Sequence, residues 1–333
     1  MRRLLKLTIV VIVLWSGYWL AAAYGLRSSV EAWFATQAER GWQADYAEIS
    51  TAGYPLHHKT TLTSPALADP RTGAAWQADW IMFDSPAIWP GRQTLRFADT
   101  PQRLSYFDQT AVVTAQELTA DLHLHPGVRL ELQRMALTAG PWRIDTVDGT
   151  ALQADTMSLA MAQEEQPESY MFGISAEGFT PGDALRRLLR SDTALPRSLE
   201  TLELDMAVRF DKAWDRSALE ESRPQPQMID LRLAEMRWGE LRLYATGELE
   251  VDSQGIPTGE IALKAENWQE MLAMAQAAGA IPEQAVGPAN RVLGMLAGLG
   301  GNRNSLDVQL NFRDGFVALG PIPLGPAPRL ILR

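Results

Sequence analysis

The sequence predicts a mainly β protein of the α+β class: an N-terminal transmembrane helix, then a long, curved, largely antiparallel sheet with room to fold on itself around a groove. Three observations lead there. Residues 7–26 carry no charge. Apolar residues alternate with period two in successive runs between residues 122 and 251. The links between the later runs are too short for crossover helices.

The helix comes first. Arg2, Arg3 and Lys6 precede the uncharged run, and Arg27 and Glu31 follow it. About 20 residues at ~1.5 Å each match the roughly 30 Å of a bilayer's hydrocarbon. The basic flank holds the leader in the cytoplasm and sends the remainder across. Trp15, Tyr18, Trp19 and Tyr24 gather in the outer half, where aromatic rings favour the interface. A cleaved signal peptide is the competing reading, with Ala21, Ala22 and Ala23 as the cut site. Against it, the apolar run passes without a polar break into Leu26, Val30, Trp33, Phe34 and Gln37, spaced by three and four, before Gly41 offers a stop. Residues 1–27 are therefore expected to stay as a membrane anchor. Residues 28–333 are expected to fold outside the cytoplasm as one β-rich region.

The composition suits a large exported domain. Of 333 residues, 46% are hydrophobic and none is cysteine, so the core must be stable without disulfides, and a lipoprotein anchor is excluded. The net charge is -10, and without the three leader cations it is -13. A surface this acidic argues against nucleic acid as a partner and against broad adsorption on anionic head groups.

Residues 44–66 read as two strands around the Gly53-Tyr54-Pro55 turn. Residues 74–83 and 94–97 are weaker strands, and residues 85–91, with two prolines, read as a loop. Leu122, Leu124, Val128, Leu130 and Leu132 alternate around Pro126-Gly127. So do Leu202, Leu204, Met206 and Val208, then Leu231 and Leu233, then Leu241, Leu243, Leu249 and Val251. Gly239-Glu240 and Ser253-Gln254-Gly255 favour hairpins. Two last strands, near 306–312 and 315–319, precede a proline-rich tail.

Helices are few. Thr180 caps a predicted helix over 181–190, with Pro181 first, Asp183 in its first turn and Leu185, Leu188 and Leu189 as its apolar side. Asn267 and Glu270 form a capping box for a helix over 268–278, whose buried stripe is Trp268, Met271, Leu272 and Ala275. A third helix runs over 289–299, buries Val292, Leu293 and Leu296, and ends at Gly300. A strand pair followed by a helix occurs at 142–190 and again at 241–278. Two related sheet-and-helix halves divided near 191–200 would explain that echo, and so would chance.

The chain holds no Gly-rich phosphate loop and no Gly-x-Ser-x-Gly elbow. Its four histidines fall in two clusters. On a strand, Asp121, His123 and His125 share one face opposite Leu122 and Leu124, which is the wet face of a half-buried strand before it is a zinc site. His57 and His58 are adjacent, point opposite ways and do not share an ion. Glu203 with Asp205, and Glu248 with Glu250, share strand faces as solubilising neighbours, not as a glycosidase pair across a cleft. Trp76, Trp80, Trp89, Trp142, Trp214 and Trp238 are core or membrane-proximal before they are a ligand platform. No catalytic, cofactor or metal site is therefore assigned, and no cofactor is expected.

Gly41-Trp42, Gly53-Tyr54-Pro55-Leu56, the segment ending at Trp268, and Asp314-Gly315 with Leu319-Gly320-Pro321-Ile322-Pro323-Leu324 together resemble domain-of-unknown-function family 2125, over most of the chain after the anchor. That resemblance implies an alphaproteobacterial inner-membrane protein facing the periplasm, and it brings no activity or catalytic residues. The layout is loosely similar to AsmA-type envelope proteins, whose curved antiparallel sheets hold lipid. Three function classes follow. The first is a non-enzymatic envelope component bound to lipid or to another envelope protein. The second is a purely structural or protein-interaction factor. The third is a periplasmic hydrolase. An apolar groove wider than side chains can fill favours the first, and a cleft joining both histidines to a third ligand favours the last.

Overall fold

The computed structural model describes every residue except Pro90 and residues 189–194, 278–282, 300–301, 320–321 and 333. It is mostly β, with antiparallel sheets and few helices, and it begins with a long apolar helix, as the sequence predicts. The chain divides into two compact units, Met1–His123 and Leu124–Arg333.

The first unit opens with α1 (Arg2–Glu39), which carries the uncharged run and the 30–37 stripe on one helix. Gly41 follows at φ +91°, where a helix stops. Ten strands come next: β1 (Gln43–Asp45), β2 (Glu48–Ala52), β3 (His57–Thr63), β4 (Ala66–Asp69), β5 (Ala74–Gln77), β6 (Trp80–Pro86), β7 (Arg92–Phe97), β8 (Gln102–Tyr106), β9 (Gln109–Ala115) and β10 (Thr119–Leu124). They form two antiparallel runs, β2–β3–β6–β7–β10 and β1–β4–β5–β8–β9. Each long excursion of the chain bends from one run into the other. At the bends Ser64 N–H donates to the Asp79 carbonyl and Ala78 N–H to the Pro65 carbonyl, at 2.7 and 3.2 Å. Pro65, Ala78, Ala98 and Ala115 are buried there, because a sheet corner leaves little volume inside it. Near the far end of β4, burial pushes the Asp69 carboxyl up, but the Arg71 N–H, the Thr72 hydroxyl and the Arg71 side chain outweigh it, so it titrates below its ordinary value. Against the β2–β3–β6 face, Phe34 of α1 packs with Ile49, Leu62 and Ile81.

The second unit contains β11 (Leu132–Ala139), β12 (Trp142–Thr146), β13 (Gly149–Ala154), β14 (Thr156–Gln163), β15 (Ser169–Glu177), β16 (Thr180–Pro181), α2 (Asp183–Leu188), β17 (Thr201–Phe210), α3 (Ser217–Glu220), β18 (Pro226–Trp238), β19 (Leu241–Val251), β20 (Pro257–Glu266), α4 (Trp268–Ala277), α5 (Glu283–Leu299), β21 (Ser305–Arg313), β22 (Phe316–Leu319) and β23 (Ile322–Pro326). Its main sheet runs β11–β14–β15–β17–β18–β19–β20–β21–β22–β23, and β12–β13–β16 make a smaller one. The main sheet stays open, ending at β23, rather than closing on itself. Gly239-Glu240 joins β18 to β19 as a two-residue hairpin, with Trp238 opposite Leu241. Helices α4 and α5 cover part of the β19–β21 face through Trp268, Leu272, Ala289, Leu293 and Ala297 against Ala265 and Leu306.

Several local expectations are corrected. Ser85 and Pro86 belong to β6, since Pro86 stands opposite His57 on β3 and needs no N–H at the strand's end. Val128 and Leu130 are exposed in a loop, which His125 N–H closes onto the Glu131 carbonyl at 2.8 Å. Thr180 and Pro181 pair with Gln153 and Leu152 on β13, so sheet pairing overrides the local cap and α2 starts at Asp183. Leu185 is exposed, and Leu189 lies outside the described residues. Gly182 must be glycine, because a Cβ there would sit 1.7 Å from the Thr150 carbonyl oxygen. No capping box forms at α4. The Asn267 N–H donates to the Asn304 carbonyl and its amide to the Glu240 carbonyl. Helix α5 begins six residues early, at Glu283, with Pro288 in its second turn. Gly300 and residue 278 lie outside the described residues. The proline-rich tail contains strand β23.

Candidate functional site

Within the first unit, α1 is built into the sheet. Its stretch from Trp15 to Trp19 lies against the two turns that join β2 to β3 and β6 to β7. Trp15 Nε1 donates to the Pro55 carbonyl at 3.1 Å, and Trp19 Nε1 to the His57 carbonyl at 2.9 Å. The Tyr18 hydroxyl donates to the Ala87 carbonyl at 2.8 Å. Ser16 and Tyr54 share a hydroxyl–hydroxyl bond of 2.8 Å. His58 Nε2 lies 3.2 Å from the Trp19 carbonyl, and a carbonyl only accepts, so the imidazole carries its proton there. The His58 ring stacks on Trp19 with centroids 4.9 Å apart, and Tyr54 meets the same indole edge-on at 5.6 Å. Trp19, Ala23 and Ala87 are buried together.

The two turns hold each other through Ala87 N–H to the Leu56 carbonyl, at 2.8 Å. Gly53 sits at φ +101°, and a Cβ there would meet the His57 carbonyl oxygen at 2.8 Å, so the Gly-Tyr-Pro element needs its glycine twice over. His57 and His58 do face apart: His58 is buried, while the exposed His57 pairs with Asp84 at 2.8 Å. Sequence reasoning placed Trp15, Tyr18 and Trp19 at a lipid interface and missed that they bond to the folded sheet. The signal available was the pair of loops at 49–58 and 85–91, neither of which holds Asp, Glu, Lys or Arg.

Within the second unit, an open groove of about 620 Å³ lies beside α5. Leu296 forms one wall, and the cross-strand row Ala245, Leu263 and Val308 lies in its lining. Tyr244, Lys264 and Asp307 form the adjacent row of the same strands. Past α5, the apolar face continues through Ile261 and Leu310, opposite Gly247. A second hollow of about 590 Å³ is lined by Phe312, Phe316 and Val317.

The histidine cluster disperses. Strand β10 ends at Leu124, so His125 lies beyond it and does not share a strand face with Asp121 and His123. Asp121 accepts from the Thr94 hydroxyl. His125 Nε2 meets Gln163 Oε1 at 2.8 Å. The Gln163 amide nitrogen turns to three acceptors, the Glu131 carboxylate, the Pro167 carbonyl and the Tyr170 hydroxyl, which settles its orientation and makes His125 the donor. Among the described residues, no three His, Asp or Glu side chains stand where they could hold a metal ion. Glu203 and Asp205 lie on β17, and one Asp205 oxygen is buried without a hydrogen bond. Converting His123 and His125 together to alanine is expected to cost about 1–2 kcal/mol, from the lost Gln163 bond and from His123's own interaction. Metal analysis of the parent should find no stoichiometric zinc. Zinc present in the parent and absent from the double variant would overturn that expectation.

The chain belongs to the family described as an uncharacterized protein conserved in bacteria (DUF2125), matched over residues 19–328. No curated protein matches it.

Proposed function

We propose that this member of the DUF2125 family is a non-enzymatic cell-envelope protein that holds a lipid acyl chain in the groove beside α5. It sits in the bacterial inner membrane as a single-pass protein through residues 7–26, with its β-rich part in the periplasm. The groove carries the reading. Its floor is largely apolar, it is left open where α4 and α5 stop covering the sheet, and its size falls within the range of small-molecule sites. Two observations support the anchor. The helix is long and apolar enough to cross a membrane, and the arginines and lysine before it favour a cytoplasmic leader.

The test compares the full chain with Leu263→Gln, both extracted from membranes under the same mild conditions. Annular lipid should be equal in the two. The lipid that differs, read by organic extraction and mass spectrometry, is the groove's own. The variant should lose it while unfolding with a stability only about 1–2 kcal/mol lower, since the side chain borders open space. A parent whose lipid content equals the variant's would move the reading to a purely structural or protein-interaction factor.

A further inference from the structure

We propose that the β2–β3 and β6–β7 turns of the first unit are immersed in the same lipid leaflet that surrounds the outer half of α1. The inference rests on the reading of residues 7–26 as a membrane span, and is independent of the groove.

Length makes the first argument. From Leu7 to Trp15 the helix rises only about 12 Å, and from Arg3, letting Lys6 snorkel, about 18 Å. Neither covers the roughly 30 Å of hydrocarbon. At Trp15 the helix is already bonded to Pro55, and by Trp19 it is packed against His58 and Ala87. The remaining depth must therefore be crossed by helix and turns together.

The turns are suited to that depth. Leu56 is 66% exposed and Ile88 73%, with Tyr54 and Trp89 exposed beside them. Arg92 opens β7 directly after the second turn, and the next charges along the strands, the ion-paired Lys59 and Asp84, lie about 10 Å back from Leu56 and Ala87 at the rise of a strand. Lys59 and Arg92 are exposed, with side chains long enough to snorkel to the phosphates.

Backbone chemistry makes the second argument. Lipid offers no hydrogen bonds, so an immersed turn must satisfy its carbonyls internally. A turn in water has no such need. Here the carbonyls of Pro55, His57 and Ala87 each accept from a side chain of α1. Those of Gly53, Leu56 and Pro86 accept from N–H groups of the turns themselves. Three aromatic donors spent on turn carbonyls make sense in a medium without water.

The chain has no cysteine, so single-cysteine variants need no background removal. Val10→Cys, Leu56→Cys, Ile88→Cys and, as an exposed control on the other strand run, Phe107→Cys are placed in the full chain. Each is labelled with an environment-sensitive fluorophore and reconstituted in phosphatidylcholine–phosphatidylglycerol vesicles containing lipids brominated along the acyl chain. A membrane-impermeant maleimide is applied to unlabelled samples in parallel. Leu56→Cys and Ile88→Cys should be quenched by bromine on the acyl chain, and should react at least about tenfold more slowly than Phe107→Cys until detergent is added. Val10→Cys, three residues above Leu7, should be quenched by acyl-chain bromine as well. Val10→Cys quenched while the two turn positions react as fast as Phe107→Cys overturns the immersion alone. Val10→Cys unquenched overturns the span and the immersion with it.

Discussion

Tyr170→Ala is expected to destabilise the protein by about 3–5 kcal/mol, the range for emptying a buried aromatic site. Tyr170 is wholly buried on β15. Its ring meets Phe210 at 6.0 Å, and Phe210 in turn meets Trp214 edge-on at 5.5 Å. Its hydroxyl accepts the Trp214 N–H at 3.1 Å and the Gln163 amide at 3.3 Å. Alanine would leave a cavity and strand the Trp214 N–H. Tyr170→Phe keeps the ring and removes only the hydroxyl, so about 1–2 kcal/mol should go. Denaturant unfolding of both variants separates packing from hydrogen bonding, and equal losses would show that the cavity does not matter. The phenol also gives a pH signature. Burial pushes it above its ordinary value of 10.0, helped by the Glu131 charge and opposed by the Trp214 N–H. Below pH 10 both states keep the proton and nothing changes. Above it the unfolded chain ionises first, so stability falls as pH rises towards the folded value. Tyr170→Phe should flatten that alkaline loss.

Trp19→Ala in the full chain is expected to cost a further 3–5 kcal/mol or so, for the same physical reason at a different place. The indole is buried, stacked on His58, and donates to the His57 carbonyl. Were residues 1–23 a disposable leader, this change would leave the folded part untouched. Unfolding monitored in detergent, with protease cutting at the β2–β3 turn as a local readout, decides the matter. Unchanged stability and unchanged cutting would mean that the helix is not part of the fold. Cleavage at Ala23 would remove Trp19 together with Trp15 and Tyr18, so a cut chain should behave like this variant.

What was legible in the sequence follows the length of its elements. Strands β17 to β20 each run ten residues or more, so Leu241, Leu243, Leu249 and Val251 had room to show their period, and Gly239-Glu240 marked the hairpin. In the first unit, β1, β4 and β5 are three or four residues long, and the chain changes run at each corner. A pattern of period two cannot establish itself over such lengths. Val128 and Leu130 alternated by accident in a loop, and Thr180 had a cap's chemistry but a strand partner in Gln153. The Gly53-Tyr54-Pro55 turn was visible as a turn. Its bond to Trp15 was not, because nothing local joins residues forty apart in the chain.

The open end of the main sheet has a consequence for how copies of this chain meet. An unpaired strand offers its free N–H and C=O groups to any neighbour and invites edge-to-edge aggregation. Strand β23 is five residues long, and two of them, Pro323 and Pro326, have no N–H to offer. Beyond it the tail turns back: Ala327 N–H donates to the Gly315 carbonyl and Leu330 N–H to the Gly255 carbonyl. Leu332 and the Gln225 side chain then exchange two bonds, at 2.7 and 3.0 Å, as paired strands would. The prolines that hide this strand from a reader of the sequence also make it a poor template for strand addition by another copy.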